Sequence, residues 1–330
     1  MTSMSKTLRL LATVSRPEFL PANSASLVLG IAWGINPHSD LAWGLMIPAI
    51  LVFAIITLIA DFGAQVNTIS DYQLDLKDSR KEKLVGAMGG LNRSTVEKVM
   101  AIEITLSLVL LLILLSVQWK PALVFLWMGG VFLAYTYSAP PLRLKSRSWL
   151  AVLAMLLVLS IFPVSFVYYT FASALDAYFV IFLLGQALTV YGVIVPAEIR
   201  DYFGDKAMGI KTMTVRLGLV KASLLGILLL TLGGILCGAG ILFRLTYGPY
   251  PSLAAFLLFF AAVYYYALRK YWKLYLFSKE YESRDEGDRR LSEQNIVELS
   301  AQNPRWITLV TQTILVMSLV LLVAQFLPLA

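Results

Sequence analysis

Apolar residues in this chain gather into runs far longer than the buried edge of a soluble core requires. Nine windows are almost continuously hydrophobic, roughly 18–36, 42–66, 99–117, 119–137, 149–171, 176–197, 219–243, 251–271 and 306–328. A helix rises about 1.5 Å per residue, so about 20 apolar residues cross the roughly 30 Å of hydrocarbon in a bilayer. The pattern predicts an all-α, polytopic membrane protein of nine transmembrane helices. Only residues 118–120 separate the third and fourth windows, which makes that break the thinnest of the set.

Composition agrees, and charge adds an orientation. Hydrophobic residues make up 58% of the 330 and charged residues only 14%, where a soluble domain carries about 25% charged. With nine spans, the N-terminal tail and the even-numbered loops share one side. Of the 27 Lys and Arg, all but Lys120 and Arg244 fall on that side. Positively charged loops stay in the cytoplasm, so this side is expected to face inward, with the C-terminus outside. The net charge of +7 is then a membrane bias and calls for no nucleic-acid partner. Cys237 is the one cysteine, which excludes a disulfide or a cysteine-based metal site within one chain. His38, in the short outer loop 36–40, is assigned no role. The first apolar run follows Arg16 and Pro17 without a small-residue cleavage site, so no cleaved leader is expected. Residues 1–17 read as a basic, amphipathic lead-in lying along the inner membrane surface.

The candidate chemistry sits where two hydrophobic windows end. Beyond the second window come Asn67, Asp71 and Asp75, each four residues apart, with Asp78 following. Positions four apart on a helix drift by only about 40°, so the three share a stripe. Beyond the sixth window come Glu198, Asp201 and Asp205, again at helical spacing. Acids crowded at the mouth of a membrane helix repel one another and need a cation. Carboxylates with an Asn amide oxygen are hard ligands suited to Mg²⁺, which takes one or two carboxylates and completes its shell with water and phosphate oxygens. The plainer alternative is that each cluster is a solvated helix end paired with neighbouring bases. Two matched clusters favour the metal reading, in which they face each other across a cavity.

Bases accompany both clusters. Arg80, Lys81 and Lys83 follow the first, in a stretch with Gly86, Gly89 and Gly90 that can fold over a phosphate or can be ordinary positive-inside charge. After the fourth window, Pro140 and Pro141 break the helix and present Ser138, Arg143, Lys145 and Arg147 at the same face as the acids. Lys206, Lys211 and Arg216 follow the second cluster. Bases beside metal-binding acids are what a diphosphate with Mg²⁺ requires. Asp61 and Glu103 lie within membrane windows, where either can be functional; snorkelling is the favoured reading for Glu103, and Asp61 is left open. The stretch 278–305 mixes both signs and reads as a charged cytoplasmic connection before the last span.

These motifs resemble those of the UbiA superfamily of intramembrane prenyltransferases. Asn67, Asp71 and Asp75 meet its first signature, Asn-x3-Asp-x3-Asp. Its second acidic signature, with a Gly-Asp-x3-Gly-x-Lys-Thr stretch, is similar to 198–212 here. The stretch 137–145 is similar to a fourth-span motif of the branch containing chlorophyll synthases and archaeal ether-lipid prenyltransferases. Two departures stand out: Glu198 occupies a position where Asp is usual, and the basic loop after Asp75 lacks the Asn-Lys-x2-Arg-Pro pattern common in those branches.

The resemblance implies a single transmembrane domain over 1–330, its central cavity open to the bilayer and its active site towards the cytoplasm. It implies Mg²⁺ held by Asn67, Asp71, Asp75, Glu198, Asp201 and Asp205. The partners it implies are a prenyl diphosphate donor, a hydrophobic small-molecule acceptor and the lipid bilayer, with no obligate protein partner. Arg80, Lys83, Lys145, Lys206, Tyr137 and Ser138 would hold the diphosphate. Arg143 and Lys211 would join Asp71, Asp75, Asp201 and Asp205 in its ionisation to an allylic cation, walled by Tyr135, Tyr137, Tyr191 and Phe162. Two rival readings remain: a terpene cyclase of the same fold and a cation-coupled transporter. The transporter predicts acids near mid-membrane rather than at span ends.

Overall fold

A computed structural model describes residues 3–17, 20–35, 43–76, 81–207, 209–246, 256–285 and 289–324. In chain order the helices are α1 (Ser3–Val14), α2 (Leu20–Gly34), α3 (Met46–Asp75), α4 (Glu82–Gly89), α5 (Arg93–Val117) and α6 (Pro121–Thr136). Then come α7 (Trp149–Leu156), a π-turn (Leu157–Ile161), α8 (Phe162–Phe171), α9 (Ala177–Ala207), α10 (Met213–Leu217), α11 (Leu219–Thr246), α12 (Phe256–Ser283), α13 (Arg289–Ala301) and α14 (Asn303–Ala324). Among the described residues there is no strand, and each of the nine hydrophobic windows holds helix. By length and apolarity, five qualify to cross a membrane: Met46–Asp75, Arg93–Val117, Trp149–Phe171, Ala177–Ala207 and Leu219–Leu245. The protein is therefore an all-α integral membrane protein, five of whose crossings are defined on those grounds.

Local chemistry sets several boundaries. Asn92 caps α5, its side-chain oxygen accepting from the Ser94 amide at 3.0 Å. The thin break at 118–120 is real. Helix α5 stops at Gln118, and α6 restarts with Pro121, which suits a first helical turn. Between them, Lys120 Nζ donates to the carbonyls of Tyr169, Thr170 and Ala172 at 2.9, 3.0 and 2.8 Å. It thereby caps the C-terminal end of α8, where carbonyls lack partners and the helix dipole is negative. The π-turn precedes Pro163, whose missing N–H and bulky ring disrupt the helical ladder one turn earlier.

Contacts group the chain into two compact units. The first comprises Met1–Gly34, His38–Leu144 and Phe162–Ala172. Its core packs Val52 and Ile55 of α3 with Leu111 and Leu114 of α5, Leu123 of α6 and Val167 of α8. Helices α2 and α8 meet closely because Gly30 has no Cβ; one there would lie 2.4 Å from Val167 Cβ. The expected lead-in is helical, but its inner face is taken by protein. Val14 is fully buried with Ala87, Met88 and Val96, while Met4 and Leu8 point outward.

The second unit comprises Ile35–Pro37, Lys145–Ile161 and Ser173–Ala330. Its spine is the pairing of α9 with α11 along small residues. A Cβ on Gly185 would lie 2.5 Å from Cys237 N, and one on Gly233 would lie 2.4 Å from Thr189 Oγ1. Small residues let two membrane helices bring their backbones together. The charged connection after α12 is helical too. Ile296 and Leu299 of α13 enter the same core as Ile199 and Leu274, so this stretch has a buried face as well as a solvated one.

Candidate active site

Helix α3 does not end with its hydrophobic window; it continues to Asp75 and carries the first acidic signature on its last turns. Asn67 and Asp71 are half-buried and Asp75 is buried, whereas Gln73 and Leu74 between them are exposed. The 67/71/75 stripe thus faces the protein, as the spacing predicts.

The turn after α6 closes on that stripe within the first unit. Ser138, almost fully buried, donates its hydroxyl to Asn67 Oδ1 at 2.7 Å. Arg143 Nη2 lies 3.0 Å from Asp71 Oδ1. The backbone there is unusual. Arg143 has φ +38°, a region that residues other than glycine rarely adopt. Its amide is held by the Ala139 carbonyl at 2.9 Å, so the guanidinium is aimed from a fixed turn. Lys81 completes the set, with Nζ 2.6 Å from Asp75 Oδ1. Asn67 and Asp75 also border a cavity of about 420 Å³. Tyr137 is half-buried at the end of α6. Lys83 lies on α4, and the stretch with Gly86, Gly89 and Gly90 is this short helix and its cap rather than a phosphate-wrapping loop. Arg80 and Asp78 lie outside the described residues, as does His38.

The second signature belongs to the second unit, on the last turns of α9. Pro196 sits inside that helix and leaves the Gly192 carbonyl without its usual amide partner. The Tyr271 hydroxyl of α12 fills the gap at 2.9 Å. One turn on, Glu198 is held by hydroxyls. Tyr191 donates to Oε1 at 3.2 Å, and Thr214 of α10 donates to Oε2 at 2.9 Å. Asp201 accepts from Arg200 Nε at 3.3 Å. Asp205 is half-buried, with its own carbonyl taken by the Ile210 amide at 2.9 Å. Lys206 stays near Tyr202, 5.5 Å above its ring, and Lys211 is exposed. Lys145 sits half-buried on a short 3₁₀ turn.

The expected aromatic walls have more ordinary surroundings. Tyr191 bonds Glu198, Phe162 packs on Gly129, and Tyr135 is half exposed beside Phe62. Thr214 and Tyr271 were not among the expected site residues. The orphan carbonyl created by Pro196 was the one available signal for Tyr271.

Among the described residues, no three Asp, Glu, His or Cys converge closely enough to hold a metal by themselves. What the first unit does bring together is two carboxylates, an amide oxygen and a hydroxyl, with two cations on the acids. All are hard oxygen donors, and a Mg²⁺ ion needs only one or two carboxylates when phosphate oxygens and water fill its shell. The donor set fits such an ion.

A model of the UbiA prenyltransferase family matches residues 24–278. The chain belongs to that family. A 2-acylphloroglucinol 4-prenyltransferase of Humulus lupulus is 26% identical over 206 residues, covering 60% of this chain. The chain spans about half the length of that curated relative, 47% of it. Among solved structures, a digeranylgeranylglyceryl phosphate synthase has TM-score 0.65 at 17% identity, over 94% of this chain and 98% of its own. A UbiA homologue from Archaeoglobus fulgidus, bound to GPP and Mg²⁺, has TM-score 0.61 at 18% identity, over 92% and 99%. At such identities the likeness establishes the fold of this UbiA-family chain and no more.

Proposed function

We propose that this chain transfers an isoprenyl group from a prenyl diphosphate to a hydrophobic acceptor within the membrane, with Mg²⁺ and with the site towards the cytoplasm. The observation that carries the reading is the Asn67–Asp71–Asp75 stripe with Ser138, Arg143 and Lys81 drawn onto it. Asn67, Asp71 and Asp75 would hold an ion in the first unit, and Glu198, Asp201 and Asp205, donors of the same type, would hold one in the second. Bound Mg²⁺ supplies Lewis-acid neutralisation of the diphosphate oxygens.

The protein groups supply the rest. Arg143 and Lys81 now sit on Asp71 and Asp75, and both can turn to phosphate oxygens once those acids bind the ion. The bond from the prenyl carbon to the diphosphate oxygen breaks, and its electrons leave with pyrophosphate. Arg143 and Lys81 stabilise the charge that develops on it. The acceptor then bonds to the allylic carbon and loses a proton. The apolar helices around the site keep water from capturing the cation. The A. fulgidus homologue bound to GPP and Mg²⁺ supports the donor class.

The deciding experiment incubates purified protein with Mg²⁺, several prenyl diphosphates and a panel of acceptors, and identifies products by mass spectrometry. Prenylated acceptor should appear, vanish with a chelator, return with Mg²⁺, and fall by several orders of magnitude in Asp71→Asn. Full turnover in chelator would refute the metal role. A cyclised hydrocarbon with no acceptor adduct would turn the assignment to a cyclase.

A further inference from the structure

The cavity beside Asn67 and Asp75 has walls that the reaction as proposed does not use. Its volume, about 420 Å³, lies within the roughly 300–1,000 Å³ typical of small-ligand pockets. Besides those two residues it is bordered by Arg9, Arg16, Lys81 and Lys83. Among the described residues, four cations line this space, Arg9, Lys81 and Lys83 of them exposed, and the one carboxylate bordering it, Asp75, accepts Lys81. Like charges gathered around one cavity repel, and an anion relieves them.

Arg9 comes from α1, the helix read from sequence as a membrane-surface lead-in. The helix is fixed in place by contacts within its unit. Val14 is fully buried, Leu10 lies where a Cβ on Gly90 would come within 3.0 Å of it, and Gln65 Nε2 donates to Ser15 Oγ at 3.0 Å. Arg9, midway along α1, and Arg16, just beyond its end, both border the cavity. Lys6, on the same helix, does not border it.

We infer that α1 is a wall of the anion site, with Arg9 as a binding residue for a phosphate-bearing group, namely the diphosphate end of the prenyl donor. The inference rests on the donor reading above and adds to it a residue outside both acidic signatures. Arg9 contributes a guanidinium, which can grip two phosphate oxygens at once.

The test is calorimetric titration of inorganic pyrophosphate, with Mg²⁺, into the full chain in detergent. Wild type, Arg9→Gln, Arg9→Lys and Lys6→Gln are compared. Arg9→Gln should bind roughly tenfold more weakly, the loss of one charge-assisted contact. Arg9→Lys should recover part of that loss. Lys6→Gln removes the same charge from the same helix and should bind as wild type does. Equal affinities for Arg9→Gln and Lys6→Gln would overturn the role of α1 while leaving the donor reading intact. Failure of wild type to bind pyrophosphate would overturn both. Repeating the titration in nanodiscs of phosphatidylcholine and of phosphatidylglycerol separates the two sources of phosphate. Competition by the anionic lipid, abolished in Arg9→Gln, would assign the cavity to a lipid headgroup and overturn the donor assignment.

Discussion

Arg143 offers the sharpest separation between holding the fold and doing the chemistry. Its guanidinium lies 3.0 Å from Asp71, with 37% of the Arg side chain and 14% of the Asp side chain exposed. At an effective dielectric of about 20, two unit charges at that distance attract by roughly 5 kcal/mol before desolvation. Exposed pairs deliver far less, about 0.2–1 kcal/mol, because water screens them and ordering the side chain has an entropic cost. Arg143→Gln should therefore lower stability by no more than about 1 kcal/mol. Arg143→Gly should do less still, because glycine relieves the φ of +38° by an amount on the order of 1 kcal/mol. Activity should behave differently. A donor aimed at developing charge is worth about 3 kcal/mol, so both variants should lose roughly a hundredfold in kcat. Stability can be followed with a thiol-reactive dye, since the single cysteine, Cys237, is fully buried and reacts only on unfolding. Turnover is read as pyrophosphate release. Normal turnover in both variants, or activity lost only in step with melting temperature, would refute the assignment.

Other outcomes follow from the second unit and from the charge pattern. Glu198→Gln should raise the Mg²⁺ requirement and lower turnover, with Glu198→Asp milder; an unchanged Mg²⁺ titration in Glu198→Gln would remove it from the ligand set. Thr214→Val should reproduce part of that effect by removing the shorter of the two hydroxyl contacts that position Glu198 Oε2, and identical kinetics would show that this hydroxyl is dispensable. Tyr271→Phe leaves the Gly192 carbonyl buried without a partner and should destabilise by about 1–3 kcal/mol, measured by the same dye; an unshifted melting curve would contradict the role given to that bond. Cysteines placed at Lys81, Ser146 and Lys206 should be shielded from an impermeant reagent in intact cells while one at Ser39 is labelled, and the opposite pattern would reverse the orientation.

How much of this was legible in the chain depended on whether a feature was local. The tails of α3 and α9 were legible because hydrophobicity and acid spacing share one helical period, which continues past the membrane window. The break at 118–120 was visible as a thin polar gap, yet Lys120 reaching the end of α8 was not, since nothing local encodes a partner some 50 residues away. Arg143 stood out as a base near acids, but its pairing with Asp71 depends on how the turn after α6 folds. Around Gly86, Gly89 and Gly90 a wrapping loop was one of two readings. Buried Ala87 and Met88 make the stretch a helix instead, tertiary packing outweighing the low helix propensity of glycine. Charge on 289–301 suggested solvent, and the Ile296 and Leu299 face was lost in that average.

Lys120 and Arg244 have a consequence for how the chain enters its membrane. On the expected topology they are the two cations that must be carried across. Neither arrives as a bare charge. Lys120 ends on three carbonyls at the negative end of a helix, and Arg244 ends 3.0 Å from Asp176. Asp176 balances the charge of Arg244, while the Lys120 ammonium keeps its charge and exchanges water for three carbonyls. A translocated Lys or Arg introduced without such a companion should shift orientation in a way that these two do not.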